Sequence, residues 1–235
     1  RMLEIGANGF VGNGDTFTFK DLEEELREPT EERIFAVSKA LANGMSVEDI
    51  NELTNIDEWY LHKMKKIIDI ETELDGLETI EENLLEEAKK TGFSDNQIAI
   101  ASDADISEVR EMRSDYNIHP KIRRIDTMAA EYPAKTNYLY LTYHSQKDDI
   151  ENFPQDSVLI LGSGSYRIGS SVEFDWSCVT AGKTIKDLGY KTIMLNYNPE
   201  TVSTDYDEFD YLVFDSIDLE TVKEIDNKFN PIGTV

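Results

Sequence analysis

The chain has 235 residues, 40% hydrophobic and 10% aromatic, enough to bury the core of one large domain or two small ones. Its 48 acidic and 23 basic side chains leave a formal net charge of -25, which argues against binding nucleic acid, where a basic face must displace counterions, and against docking on an anionic membrane. A single cysteine, Cys178, allows no internal disulfide, three histidines (His62, His119, His144) argue against a multi-histidine metal site, and no apolar run approaches the roughly 20 residues that span a bilayer.

The first half reads as acidic and helical. The chain begins "RMLEIGANGF", without an initiator methionine and without a signal peptide, as expected of a cut through a larger protein. A helix over Asp21 to Glu28 stops before Pro29. Thr30 is expected to cap the next helix, which places Ile34, Val37 and Leu41 on one face and Gly44 past its end. Ser46 caps "VEDINEL", with Asp49 as a capping-box-like partner. Asp57 opens the longest helix, where Ile56, Tyr60, Met64, Ile67 and Ile68 follow helical spacing. A further helix runs from about Thr79 to Lys90 before Gly92, and Ser94 and Ser107 cap two more.

A faint repeat runs through this half. "GMSVEDINELTNIDEWYLHKM" from Gly44 aligns with "GFSDNQIAIASDADISEVREM" from Gly92, each reading helix, turn, helix. A DNA-reading helix-turn-helix is disfavoured on charge, because the last helix of the second copy presents Glu108, Glu111 and Asp115 beside Arg110 and Arg113. The pattern instead suits structural helical hairpins.

Residues 118–155 read as a connector, with an extended Tyr/Leu alternation from Tyr138 to Tyr143. From Ser157 the period changes. Strands are expected at Ser157–Leu161, Lys191–Asn196 and Tyr211–Phe214, and helices at Phe174 to Leu188 and Leu219 to Lys228. A fourth strand begins at Ile232–Val235, where the chain ends as an unfinished strand. Strand-helix alternation predicts a Rossmann-like parallel sheet, truncated relative to a complete doubly wound domain. The fold class is therefore α plus α/β: an all-helical domain followed by a truncated sheet domain.

The stretch "LGSGSYRIGSSVEFDW", Leu161 to Trp176, resembles a phosphate-cradling loop but departs from both nucleotide patterns. Its glycines are Gly162, Gly164 and Gly169, so the third is displaced from G-x-G-x-x-G, and the second strand ends in Asn196 where a ribose-binding Asp or Glu is required. A Walker loop requires Gly-Lys-Ser/Thr, whereas Ser170 and Ser171 follow Gly169. Glycine flexibility and free amides at a helix start still suit a small anion, and a bare structural turn is the alternative. Arg167 and Glu173 either position a small polar species there or form a local ion pair. In the loop after the second strand, Asn198, Glu200, Thr201, Ser203 and Thr204 either contact substrate or brace the turn. Cys178 reads as a small buried helix residue with no sign of activation.

"VLILGSGSYRIGSSVEFDW" and "GYKTIMLNYNPETVSTDYDEFDYLVFD" resemble the large component of the carbamoyl phosphate synthetases, at the start of its second, carbamoyl-phosphate-forming half. "RRIDTMAAEYPAKTNYLYLTYH" is similar to the connector into that half, and "PTEERIFAVSKAL" and "IDEWYLHKM" to the central oligomerisation domain. The wording "SYRIGSSVEFDW" is closer to the eukaryotic synthetases than to the bacterial ones, which tend to carry Gln-Gly at Ser170-Ser171. The resemblance implies four segments. Residues 1–17 are the tail of a preceding ATP-grasp region, 18–117 the helical oligomerisation domain, 118–155 the connector and 156–235 the truncated pre-ATP-grasp domain.

It further implies a ligase that uses bicarbonate, glutamine-derived ammonia and two ATP with Mg2+ or Mn2+. No cofactor is expected on this stretch itself, since the ATP-grasp domains lie elsewhere in the parent chain. Other implied partners are those ATP-grasp domains, a glutaminase domain or subunit and a second copy of the parent. The implied location is cytoplasmic, with mitochondrial as the alternative. By the same resemblance, Arg167, Ser171 and Glu173 match positions lining the carbamate tunnel near its exit, and no catalytic or metal-binding residue is expected in the stretch. The competing interpretation is a non-catalytic interaction module whose acidic helices dock a partner.

Overall fold

The computed structural model describes residues 6–126, 138–150, 153–164 and 171–235. The chain divides into two compact units that meet between Ile118 and His119. Among the described residues no helix is long and apolar enough to cross a membrane.

The first unit holds seven helices among its described residues: α1 Leu22–Arg27, α2 Arg33–Ala42, α3 Val47–Thr54, α4 Glu58–Leu74, α5 Glu82–Thr91, α6 Asp95–Ser102 and α7 Ile106–Asp115. Leu26, Val37, Ile50, Leu61, Leu74, Leu85, Ile98 and Val109 form its fully buried apolar centre. The expected repeat is present in the backbone. Ser46 and Ser94 cap α3 and α6, both eight residues long, and each helix ends on a left-handed residue, Asn55 at φ 55° and Asp103 at φ 54°. Asp57 and Asp105 then cap the partner helices by accepting from the amide two residues on.

Several local expectations need correction. Thr30 does not cap α2. Its hydroxyl bonds the Glu25 carboxylate, and α2 starts at Arg33 after Glu32. Ile34 is 46% exposed, and the buried stripe is Ala36, Val37, Ala40 and Leu41. Tyr60 is also exposed, because α4 buries Leu61, Ile68, Ile70 and Leu74. The helix expected from Thr79 starts at Glu82. Ser107 lies inside α7 and donates its amide to Asp105, the true cap; a carboxylate outcompetes a hydroxyl at a helix start because it also meets the dipole.

The second unit is a six-stranded sheet of order β1-β2-β5-β4-β3-β6. Its strands are β1 Lys121–Arg124, β2 Tyr138–Thr142, β3 Ser157–Leu161, β4 Lys191–Asn196, β5 Tyr211–Phe214 and β6 Gly233–Thr234. The β2–β5, β5–β4, β4–β3 and β3–β6 pairs are parallel, as expected for the Rossmann-like part. The stretch read as a connector adds two strands to this sheet, and β1 pairs antiparallel with β2. Asp148 and Asp149 cover the outer edge of β1. They accept from the Ile122 and Arg124 amides at 2.6 and 2.9 Å, and Asp149 also holds the Arg123 guanidinium at 2.8 Å. An edge strand covered in this way cannot template pairing with another chain.

Helix α8 (Val172–Asp187) connects β3 to β4, and α9 (Leu219–Phe229) connects β5 to β6. The apolar residues of the strands divide by parity. Leu159, Ile193, Leu195 and Val213 pack with Ile225 and Phe229 of α9, whereas Ile160, Met194 and Leu212 pack with Phe209 and with Cys178 and Ile185 of α8. Burial on both faces explains why these strands read as unbroken apolar runs.

Gly182 of α8 fixes how closely that helix approaches, since a Cβ there would lie 2.4 Å from the Phe209 ring. Gly182→Ala is expected to destabilise the sheet unit by about 1–3 kcal/mol, and a smaller side chain at 209 should recover part of the loss in denaturant unfolding.

Candidate functional site

In the parallel part of the sheet, β3 is flanked by β4 and β6, so the loop after β3 sits where strand order reverses. Open α/β sheets place ligands outside the carboxyl ends of strands at this point. Two loops meet there: the glycine loop from Gly162, and the loop from Tyr197 that contains a single 3-10 turn at Val202–Thr204.

Asn196, the last residue of β4, joins them. It is fully buried, its Oδ1 accepts from the amides of Gly164 and Asn198 at 3.1 Å each, and its Nδ2 donates to Ser203 Oγ at 3.3 Å. The Ser203 amide in turn donates to Asp175 Oδ2 at 3.2 Å, which ties the second loop to the first turn of α8. A primary amide can accept and donate at once, and a carboxylate at neutral pH only accepts. Asn is therefore suited to a position that must bind two backbone amides and a hydroxyl.

The glycines serve the same packing. A Cβ on Gly162 would lie 2.5 Å from Asn196 Cγ, and one on Gly164 (φ 73°) would lie 2.3 Å from the Tyr197 hydroxyl. The space a Cβ would take at these glycines is filled by the chain's own Asn196 and Tyr197, and the Gly162 and Gly164 amides bond the Leu195 carbonyl and Asn196.

The other sequence-predicted residues divide into two environments. Asn198, Thr201, Ser203 and Thr204 are buried and bond largely to backbone. Asn198 Oδ1 accepts from the Glu200 amide at 3.0 Å, and Thr204 Oγ1 donates to the carbonyls of Asn198 and Thr201 at 3.2 and 2.9 Å. Glu200 is exposed. Ser171 and Glu173 are exposed at the start of α8, where the Ser171 hydroxyl donates to the Glu173 carboxylate and lowers its pKa. Arg167 lies outside the described residues. Cys178 is half-buried, and burial pushes its thiol pKa up, with a further contribution from Asp175.

Asn196 and Asp175 were not identified from the sequence as site residues. A polar residue closing an otherwise apolar strand, and an acid at an i+2 position inside "VEFDW", were the available signals. A cavity of about 420 Å³ also opens in the helical unit, lined by Phe17, Phe35, Lys39, Glu71, Asp75 and Ile100 among others. None of the sequence-predicted site residues lines it.

Residues 1–117 match the family model described as the carbamoyl-phosphate synthetase large chain, oligomerisation domain, and residues 154–235 match that of the carbamoyl phosphate synthase preATP-grasp domain. The chain is 49% identical over 207 residues to the mitochondrial carbamoyl-phosphate synthase [ammonia] of Rattus norvegicus, covering 87% of this chain and 14% of the relative. It is 49% identical over 231 residues to the carbamoyl phosphate synthase arginine-specific large chain of Eremothecium gossypii, covering 96% and 20%. It is 46% identical over 229 residues to the multifunctional protein URA2 of Saccharomyces cerevisiae, covering 96% and 10%. The chain thus spans a fifth or less of the length of these relatives.

Proposed function

Since the chain belongs to the carbamoyl phosphate synthetase large-chain family, we propose that it works within an ATP-dependent ligase that makes carbamoyl phosphate from bicarbonate, glutamine-derived ammonia and two ATP. The helical unit separates the two halves of that enzyme as its oligomerisation domain. The sheet unit opens the second half and borders the route by which carbamate arrives. There an oxygen of carbamate takes the γ-phosphoryl group of the second ATP and ADP is released. The nucleotide and its divalent metal are held by ATP-grasp domains elsewhere in the parent chain, and a glutaminase domain or subunit supplies ammonia. The parent works in the cytoplasm; the alternative is the mitochondrion, which the rat relative's name carries.

The observation that carries this reading is the joining of the two strand-end loops through Asn196, at the carboxyl ends of the strands, with the Gly162 and Gly164 amides already bonded within the chain. Such a site suits a small polar species in transit. Carbamate decomposes in water, and a narrow passage with fixed polar groups limits that loss. Arg167 attracts the anion, Ser171 holds Glu173, and Glu173 shapes the exit. The loop that carries Asn198, Glu200, Thr201, Ser203 and Thr204 lies close to the passing substrate.

The test is Glu173→Gln in the full-length synthetase. ATP consumption is expected to continue while carbamoyl phosphate formed per ATP falls about tenfold, the effect of weakening one charge-assisted hydrogen bond. An unchanged yield would reject the role of this loop in the passage.

The helical unit has a second feature that favours association. Trp59 and Tyr60 are exposed at the start of α4 in an edge-to-face pair 5.0 Å apart, with Lys63 over the indole. Exposed aromatics of this kind are enriched at protein interfaces.

A further inference from the structure

Two buried polar atoms near the joined loops have no hydrogen-bond partner among the described residues: Oδ1 of Asp175 and Oγ of Ser163. Asp175 is only 1% exposed, and its other oxygen is held by the Ser203 amide. The two residues belong to one cluster. Ser163 adjoins Gly164, whose amide bonds Asn196; Asn196 bonds Ser203, and Ser203 bonds Asp175. A buried group left without a partner is destabilising, and a ligand that presents the complementary group relieves it.

Resting on the carbamate reading above, we propose that Asp175 and Ser163 form a binding subsite that orients carbamate on its way to phosphorylation. The amino group donates to Asp175 Oδ1, and the carboxylate accepts from the Ser163 hydroxyl. Carbamate has its donors on nitrogen and its negative charge on two oxygens. An acidic acceptor at one end and a neutral donor at the other therefore admit it in a single direction. The Ser203 amide fixes the Asp175 carboxylate, so the buried carboxylate does not reorganise when the ligand arrives. The arrangement also assigns a purpose to Asn196: it ties the Gly164 amide, next to Ser163, to the hydroxyl of Ser203, whose own amide holds Asp175.

The experiment uses Asp175→Asn and Ser163→Ala in the full-length synthetase, with Glu173→Gln in parallel. An amide at 175 can keep the Ser203 contact but turns an N–H toward the ligand's own N–H. D175N is expected to lower carbamoyl phosphate formed per ATP about tenfold or more. S163A, which removes a neutral donor, is expected to lower the same yield about threefold to tenfold. The urea unfolding midpoint of D175N should match the parent's; a clear drop in it together with lost synthesis would assign Asp175 to the scaffold and overturn the subsite. A normal yield in D175N alongside a low yield in E173Q would overturn the subsite alone, and normal yields in both would overturn the passage itself.

Discussion

Asp95→Ala is expected to destabilise the helical unit by about 3–5 kcal/mol, the range for removing one partner of a buried ionic cluster. Asp95 opens α6 and is fully buried. Lys89 Nζ lies 3.0 Å from its Oδ1 and Arg113 Nη2 donates to its Oδ2 at 3.1 Å, both from buried side chains, while Arg110 stands 3.8 Å away at the rim. Deleting the carboxylate leaves two cations in a low-dielectric interior without the Asp95 charge beside them. The same cluster joins α5, α6 and α7, and Arg113 also caps the end of the unit by donating to the Ile118 carbonyl at 3.0 Å. Urea unfolding followed by helical circular dichroism should show the loss. Replacing Asp95, Lys89 and Arg113 together with apolar residues of matching size should recover most of it, because the desolvation of all three charges is removed at once. If D95A shifts stability by less than about 1 kcal/mol, the cluster is solvated and behaves as a surface pair.

The strands of the parallel sheet were legible because burial on both faces leaves apolar runs that no other element of that length produces. Ser157–Leu161, Lys191–Asn196 and Tyr211–Phe214 have the bounds expected from sequence. β1 was missed for the opposite reason. "KIRR" carries one apolar residue, Ile122, and it is a strand because β2 pairs with it and because Asp148 and Asp149, about 25 residues along the chain, bind its outer edge. In α4 the apolar residues are frequent enough to fit more than one stripe, and only packing decides that Leu61 is buried and Tyr60 exposed. The site was legible in composition but not in wiring. Glycines, serines and threonines at strand ends pointed to the right loops. Asn196 was noticed only for lacking a carboxylate, because its three bonds reach residues up to 32 positions away.

That wiring supports a second large effect. Asn196→Ala removes the oxygen that accepts from two backbone amides, Gly164 and Asn198, and the donor to Ser203. Each orphaned buried amide costs about 1–3 kcal/mol, so the sheet unit should lose about 2–5 kcal/mol. The local readout is amide hydrogen exchange. Gly164 and Asn198 should lose protection, while Ile193 and Leu195, fully buried within β4, should keep theirs relative to the reduced global stability. Val202→Ala, on the exposed side of the same loop, is the control and should stay within about 0.5 kcal/mol of the parent chain. In the full-length synthetase N196A should also lower carbamoyl phosphate formed per ATP, because the link from Gly164 through Asn196 to Ser203 and the Asp175 carboxylate would be cut. If Gly164 and Asn198 remain protected in N196A, the loops are fixed by the Tyr197 and glycine packing alone, and the joining role assigned to Asn196 is wrong.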